Sequence, residues 1–290
     1  MRVLVLGSKG QLGRCLHDQF KKTDYEVIYA SRSDIDLINL NALKNKILLI
    51  RPDLIINTAA FTAVDEAENQ SEEANLINNT AVGMIADICN ELESWIIHIS
   101  TDYIFDGTSE TAYQENDKSN PTCIYGKSKL KGEDAIKSSG CKYIIIRTSW
   151  VFSEYGNNFM KTMLHLCKDR DELSIVGDQI GCPTNAQDIA KAIISILPRI
   201  SSNKINSDIF HFCGDFPCSW YDFALVIFKE AESLGLRVPK KVNSIETSDY
   251  PTLAVRPKFS VLDCSKIKDV FGIAPSNWKN EVKNVIKKST

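Results

Sequence analysis

The chain has 290 residues, of which 43% are hydrophobic and 24% are charged, a composition that excludes a disordered or fibrous protein. Its 34 basic and 37 acidic residues leave a formal charge of −3, which argues against a broad nucleic-acid-binding surface. The nine cysteines are scattered without a CxxC pair, and neither a membrane span nor a signal-peptide cleavage pattern is visible. We therefore expect a cytoplasmic protein with reduced thiols and without nucleic-acid or membrane partners.

Short apolar strands alternate with longer helical segments through the first 150 residues. The predicted strands are Arg2–Leu6, Glu26–Tyr29, Leu54–Thr58, Trp95–Ser100 and Tyr143–Thr148. The predicted helices are Gln11–Lys22, Leu40–Arg51, Glu72–Leu92 and Tyr125–Ser138. Strands that are apolar nearly throughout are covered on both faces, so this alternation predicts an α/β fold with a Rossmann-type, doubly wound parallel sheet.

The last 140 residues are less regular. The predicted elements are helices over Asn157–Cys167, Thr184–Leu197, Ser219–Leu234 and about Trp278–Lys288, and a strand over Ile209–Cys213. Thr184-x-x-Gln187 has the spacing of a helix-capping box. The chain is expected to cross between two units. The first is a dinucleotide-binding domain (1–152 plus about 185–213), and the second is a smaller C-terminal substrate-binding lobe (about 153–184 plus 214–290).

A glycine-rich loop follows the first predicted strand. Gly7, Gly10 and Gly13 have the spacing that permits a tight turn, close approach of the backbone to a pyrophosphate, and close packing of the next helix. That helix begins with Gln11 and Leu12, whose backbone N–H groups would face the anion. The loop, placed between a strand and an amphipathic helix, predicts a dinucleotide site.

The ends of the next two strands refine this prediction. An NAD-selective site usually carries a carboxylate about 20 residues after the glycines, whereas this chain has Ser31 and Arg32 there. A hydroxyl beside a guanidinium suits a 2′-phosphate, which favours NADPH over NADH. Asp36 and Leu37 are expected near the adenine. The third strand ends in small residues, and Ala59, Ala60 and Phe61 are expected against the cofactor or, equally, in the core.

Tyr125 and Lys129 are the candidate reactive pair. They are four residues apart on a predicted helix and therefore project from one helix face. A lysine ammonium one turn from the phenol is expected to lower the phenol's pKa toward the working range of an acid–base catalyst. Thr101 ends the fourth strand and offers a hydroxyl to a carbonyl that accepts hydride. The order of the three motifs predicts a reductase.

The motifs together resemble the extended short-chain dehydrogenase/reductase family, and within it the dTDP-4-dehydrorhamnose reductases. The resemblance covers nearly the whole chain and is carried by GSKGQLG, RPDLIIN, AAFTAVDEA, IHISTDYIF, YGKSKLKGE, RTSWVF, NNFMKTM and DQIGCPT. It implies reduction of the C4 ketone of dTDP-4-dehydro-β-L-rhamnose to dTDP-L-rhamnose, the last step of dTDP-rhamnose synthesis, which feeds polysaccharide synthesis. It implies NADPH, with NADH possible, as the cofactor.

The resemblance also implies residue roles. Tyr125 would supply the proton, Lys129 would tune Tyr125 and hold the cofactor ribose, and Thr101 would bind the substrate oxygen. Asp102 and Trp150 would contact the substrate, and Arg256 would contact its diphosphate. Core packing is the alternative role for Trp150, and a surface charge is the alternative for Arg256.

Some members of the family dimerise around a metal held by glutamates. The matching positions here are Cys15, Gln187 and the lysine-rich tail near Lys287, which are poor ligands for magnesium. We therefore predict no bound metal and either a monomer or a weak homodimer.

The alternatives that the sequence leaves open are a reductase of another nucleotide-linked 4-ketosugar, a non-catalytic NADP-binding regulatory subunit, and an epimerase with tightly bound NAD.

Overall fold

The computed structural model describes residues 1–202 and 204–289. A six-stranded parallel sheet forms its centre, as predicted. The strands are β1 (Arg2–Leu6), β2 (Glu26–Ala30), β3 (Leu54–Asn57), β4 (Trp95–Thr101), β5 (Lys142–Thr148) and β10 (Asp208–His211). Their order across the sheet is β2-β1-β3-β4-β5-β10. The chain leaves β1 toward one edge and returns to β3 on its other side, which opens a ligand-binding crevice at their carboxyl ends.

Helices cover both faces of the sheet, as its alternating side chains require. Val3 and Val5 of β1 pack in one apolar cluster, and Leu4 and Leu6 pack in a second on the opposite face. The first cluster includes α1 (Gln11–Phe20) and α8 (Ala186–Ser201), and the second includes α2 (Leu40–Ile50), α5 (Ala81–Glu91) and α6 (Ile124–Ser138). The predicted α/β fold class is confirmed.

The predicted helix over Glu72–Leu92 is confirmed as one unbroken helical segment, but it contains a π-helical turn that the sequence did not predict. The segment consists of α4 (Ser71–Asn75), the π-helical turn (Leu76–Thr80) and α5, and a short helix, α3 (Val64–Asn69), precedes it. Within the wide turn, the buried amide of Asn78 accepts a hydrogen bond from Phe61 N at 2.9 Å and donates one to Phe61 O at 3.0 Å. The amide thereby ties the turn to the segment after β3. π-helical turns inside helices often occur beside functional sites.

The predicted capping box at Thr184 is wrong. Thr184 lies in β9 (Thr184–Asn185), which pairs with β6 (Val151–Phe152), and its hydroxyl donates to Cys182 O. Asn185 caps α8 instead, because its Oδ1 accepts a hydrogen bond from Gln187 N at 2.6 Å. The spacing of the motif matches a capping box, but Thr184 pairs with Val151 in a strand and therefore does not cap the helix.

Most of the remaining elements build a third apolar cluster beyond the sheet, around Phe152, Met160, Phe223 and Trp278. They are α7 (Phe159–Leu166), β7 (Glu172–Val176), β11 (Cys218–Ser219), α9 (Trp220–Ser233), β12 (Lys241–Ile245) and α11 (Trp278–Ser289). β8 (Ile180–Gly181) and α10 (Ser265–Phe271) instead pack against the first cluster through Ile180, Ile267 and Phe271. Ser219 and Asp222 form a full capping box at the start of α9.

All nine cysteines are free thiols. In residues 1–202 and 204–289, no helix is long and apolar enough to cross a membrane. Over the same ranges, no group of three or more His, Cys, Asp or Glu side chains is arranged to hold a metal ion.

Candidate active site

A cleft of about 740 Å³ lies at the carboxyl ends of the strands, between the sheet and the segment after β5. All the site residues predicted from the sequence line this cleft except Gly13, Phe61 and Arg256. The cleft follows from the strand order, because residues after β1, β3, β4 and β5 meet at one edge of a parallel sheet.

The glycine-rich loop forms one wall of the cleft. Gly7 has φ +77°, and a Cβ there would lie 2.7 Å from Ala59 N, so only glycine fits. Gly13 lies behind the loop, where a Cβ would come within 2.3 Å of Gly7 O; it therefore serves close packing rather than ligand contact. Gly10 precedes α1 and provides no side-chain cap, so the first N–H groups of the helix are available to an anion.

Arg32 follows the end of β2, beside the glycine-rich loop, and its ion-pair partners are partly exposed carboxylates. The Arg32 side chain is 70% exposed and lies 3.6 Å from Asp36 and 3.8 Å from Glu73. Exposed ion pairs of this kind contribute little free energy, so the guanidinium can exchange these carboxylates for a phosphate. Ser31 donates its hydroxyl to Asp34 at 2.6 Å, which shapes the turn that presents Arg32.

Tyr125 lies in the first turn of α6, half-buried in the cleft, with its ring edge-to-face against Tyr103 at 5.6 Å. Burial raises the pKa of Tyr125, and hydrogen bonding with the Thr101 hydroxyl opposes this rise without cancelling it. The expectation that Lys129 makes this phenol acidic is wrong for the free protein, since the lysine is bound elsewhere. The phenol is protonated at neutral pH, which is the state that a proton donor needs.

Lys129 is 2% exposed, and its Nζ contacts two residues of β4. Nζ lies 3.0 Å from His98 Nε2 and donates a hydrogen bond to Ile99 O at 2.6 Å. Burial lowers its pKa to about 8, although the carboxylate of Glu133 acts in the opposite direction. The lysine nevertheless lines the same cleft as Tyr125.

Thr101 and Asp102 face the cleft from the end of β4. The Thr101 hydroxyl donates to Asp102 Oδ1 at 3.0 Å and accepts from Tyr103 N at 3.2 Å. Asp102 Oδ2 is buried without a partner among the described residues, and burial raises the pKa of this carboxyl to about 6. A buried polar atom without a partner fits a site that receives a polar ligand.

The other two predicted substrate contacts are engaged within the protein. The indole of Trp150 stacks on Trp220, with ring centroids 3.5 Å apart, so one of its faces is already covered. Arg256 pairs with Asp65 at 2.6 Å and donates to the Tyr103 hydroxyl at 3.1 Å. Tyr103 lines the cleft, whereas Arg256 does not, so Arg256 contacts the cleft wall from the side away from the cleft.

Sequence reasoning missed several lining residues. Thr148 ends β5 in register with Thr101, and its buried Oγ1 has no partner among the described residues. Its position at a strand end was the signal that could have identified it. Thr62 and Tyr103 also line the cleft, and each directly follows a predicted site residue in the sequence. Asn158 comes from the segment after β6, within the NNFMKTM motif, to which the sequence analysis gave no role in the site.

The residues present fit a dinucleotide. The glycine cradle has no room for side chains, and the uncapped start of α1 suits a pyrophosphate. Two side chains that line the same cleft, Asp102 and Thr148, each carry a buried polar atom without a partner among the described residues. The cleft volume lies within the range of small-molecule and cofactor sites.

Comparison with known proteins agrees with this geometry. The profile of the family described as RmlD substrate binding domain matches residues 1–290. The chain is 46% identical over 289 residues to a dTDP-4-dehydrorhamnose reductase of Aggregatibacter actinomycetemcomitans, with 98% of each chain covered. It is similar to the crystal structure of a dTDP-4-dehydrorhamnose reductase of Clostridium acetobutylicum, with a TM-score of 0.92, 38% identity and 99% of each chain covered. The corresponding structure from Bacillus anthracis, in complex with NADP, has a TM-score of 0.90 at 33% identity, with 99% of each chain covered.

Proposed function

The chain belongs to the RmlD substrate binding domain family, and we propose that it reduces the C4 ketone of dTDP-4-dehydro-β-L-rhamnose to dTDP-L-rhamnose with NADPH. Full-length similarity to reductases of that name supports the reaction, and the neighbour in complex with NADP supports the cofactor. The single structural observation that carries the proposal is the meeting of Tyr125, Thr101 and Lys129 in one glycine-walled cleft.

The cofactor supplies a hydride to the ketone carbon when it is bound. The carbonyl oxygen then develops negative charge, and Tyr125 is positioned to donate its phenolic proton to that oxygen. The raised pKa of Tyr125 keeps this proton on the phenol until the oxygen becomes basic enough to take it. A phenolate remains after the transfer, and the ammonium form of Lys129, one helical turn away, stabilises it.

In this proposal, the Thr101 hydroxyl donates a hydrogen bond to the substrate oxygen. It has a single hydroxyl hydrogen, which is directed at Asp102 Oδ1 in the free protein. Stabilising the substrate oxygen therefore requires the Thr101 hydroxyl to rotate away from Asp102. Asp102 Oδ2 and Thr148 Oγ1, which have no partner among the described residues, would bind polar groups of the sugar or cofactor.

Further roles follow from position in the cleft. We assign the pyrophosphate to the loop of Gly7 and Gly10, and the 2′-phosphate to Ser31 and Arg32. Arg256 would have to leave Asp65 to reach a substrate diphosphate. Trp150 would offer the parts of its ring that Trp220 leaves uncovered.

The proposal also covers the domain organisation, location and oligomeric state of the protein. The separate apolar cluster around Phe223 and Trp278 supports the predicted division into a cofactor-binding domain and a substrate-binding lobe. Nine free thiols support a reducing, cytoplasmic location. A monomer or weak homodimer without a bound metal remains the prediction. Cys15 is fully buried, and Gln187 Oε1 accepts a hydrogen bond from Gln19.

Substitution of Tyr125 by phenylalanine tests the proposed proton donor. Tyr125→Phe is expected to cut turnover of the dTDP-linked ketosugar by roughly 10²- to 10⁴-fold, the usual effect of losing a general acid. NADPH binding, followed by fluorescence, is the control and is expected to change little. Turnover by this variant at the rate of the wild-type protein would contradict the assignment.

The substrate is tested by comparing dTDP-linked with UDP-linked 4-ketosugars. Faster turnover of the UDP-linked compounds by the wild-type protein would support a different nucleotide-sugar reductase.

A further inference from the structure

A row of buried polar side chains runs from the reactive lysine into the sheet. Lys129 Nζ lies 3.0 Å from His98 Nε2, and His98 Nδ1 lies 3.2 Å from Asn57 Nδ2. His98 is fully buried in the middle of β4, and Asn57 is 1% exposed at the end of β3. The reaction described above uses Lys129 and gives no task to His98 or Asn57.

The hydrogen positions in this row follow from Asn57. Its Oδ1 accepts a hydrogen bond from Ala59 N at 3.1 Å, so its Nδ2, which only donates, faces His98. His98 Nδ1 must then present a lone pair. Burial holds the pKa of His98 well below its usual range, so the ring is neutral and carries its hydrogen on Nε2.

The Nε2–H of His98 points at Lys129 Nζ. A neutral amine has a lone pair that accepts this hydrogen bond. An ammonium has only donors, so one of its hydrogens would face the Nε2–H of His98. The remaining contact of Nζ, to Ile99 O at 2.6 Å, is satisfied by either form. The imidazole therefore favours the neutral amine, as does burial of the lysine.

We propose that His98 is a positioning residue that anchors Lys129 and favours its uncharged form, with Asn57 fixing the tautomer of His98. The inference rests on the proposed function only for its catalytic consequence. The ammonium that stabilises the Tyr125 phenolate in the proposed reaction then requires the other tautomer of His98. That tautomer requires a turn of the Asn57 amide away from the backbone N–H of Ala59, a residue that lines the cofactor cleft. The charge of the lysine is thereby coupled to the wall of the cofactor site.

Other ionisable groups around Lys129 are few and act differently. Tyr125 and Glu133 flank it on α6, and Glu133 is paired with Arg147 of β5. Asp102 lies at the end of β4. Of these groups, Glu133 acts on the pKa of Lys129, and it raises it. None of them provides a hydrogen directed at Nζ, which leaves His98 as the neighbour that disfavours the ammonium.

Two substitutions reverse the proposed effect by different routes. His98→Gln can turn an amide oxygen toward Nζ and accept from the ammonium. Asn57→Asp offers one carboxylate oxygen to Ala59 N and the other to His98 Nδ1–H, so that Nε2 becomes the acceptor. Each change is expected to raise the pKa of Lys129 by roughly one unit, the order of shift that hydrogen bonding to the charged form produces.

The direct measurement is an NMR titration of Lys129 in the cofactor-free protein, with its signal assigned by its loss in Lys129→Met. The pKa is expected to rise in both His98→Gln and Asn57→Asp. His211→Gln is the matched control, because His211 is equally buried and bonds to Arg147 and Tyr113 O. It is expected to leave the titration unchanged. An unchanged pKa in folded His98→Gln or Asn57→Asp would overturn the proposal.

Two further readouts keep the test independent of folding and of activity. Imidazole ¹⁵N shifts of wild-type protein report the tautomer directly, and a hydrogen on Nδ1 of His98 would overturn the proposal even if both variants failed to fold. In the reduction assay, the alkaline limb of the pH profile of kcat is expected to move upward in both variants. Absence of any reduction would refute the proposed function but leave the titration as the test of His98.

Discussion

Replacing Asp102 by asparagine is expected to stabilise the folded protein at pH 7, and to do so less as the pH falls. Asp102 is 2% exposed, and burial raises its pKa from 3.8 to about 6. The folded state therefore holds the proton more tightly than the unfolded state does. Ionising this carboxyl opposes folding above pH 6, and the opposition fades as the pH falls toward 4.

The size of the effect follows from the shift. About two pKa units correspond to about 3 kcal/mol at pH 7, at 1.36 kcal/mol per unit. Asparagine removes the charge but places amide hydrogens where no described residue offers Oδ2 a partner, at a cost of about 1–3 kcal/mol. The net gain at pH 7 is therefore at most about 2 kcal/mol. The change in that difference between pH 7 and pH 4, about 2 kcal/mol, does not depend on the amide's cost.

Urea denaturation of wild type and Asp102→Asn at pH 4, 5, 6 and 7 measures this change. Asp106→Asn is the matched control of opposite sign. Hydrogen bonds from Asn120 and Thr108 lower the pKa of Asp106 to about 2, so its charged form stabilises the fold. That variant is expected to be less stable than wild type by a nearly constant amount from pH 7 to pH 4, because a carboxyl with a folded-state pKa of about 2 loses its stabilising effect only below the unfolded-state pKa of about 4. A difference between Asp102→Asn and wild type that is flat from pH 4 to 7 would refute the reasoning.

Two further predictions concern the cofactor and the support beneath the cleft. Arg32→Ala is expected to weaken NADPH binding about tenfold, equivalent to 1.4 kcal/mol, with a smaller effect on NADH, and titration of both cofactors measures it; equal losses would remove Arg32 from the 2′-phosphate. Glu133→Gln breaks the fully buried ion pair with Arg147, whose side chain is 3% exposed. It is expected to lower the free energy of unfolding by about 3–5 kcal/mol. A loss below about 1 kcal/mol in urea denaturation would show that Arg147 finds another partner.

Much of the fold could be predicted because the strands carry their own signal. β1 and β3 are apolar on both faces, and their predicted bounds agree with the structure to within one residue. The helix over Glu72–Leu92 was predicted, but its π-helical turn was not, because helical periodicity does not reveal where one turn widens. The turn at Leu76–Thr80 depends on contacts of Asn78 with Phe61, 17 residues away.

The sequence predicted which residues line the site better than it predicted the contacts among them. The spacing of the glycines and the interval between Tyr125 and Lys129 correctly identified residues that line one cleft. The contact between Lys129 and His98 depends on how α6 packs on β4, across 31 residues, and no local pattern reports it. The pairing of Arg256 with Asp65 spans 191 residues and was equally hidden.

The most direct test of the central claim is isotope transfer from labelled cofactor. NADPH carrying deuterium at the transferable position is incubated with protein and dTDP-4-dehydro-β-L-rhamnose, and the product is analysed by NMR. The account predicts deuterium on C4 of dTDP-L-rhamnose with wild type and a rate lower by orders of magnitude with Tyr125→Phe. Product without deuterium at C4, or equal rates for the two proteins, would contradict hydride transfer in this cleft with Tyr125 as the acid.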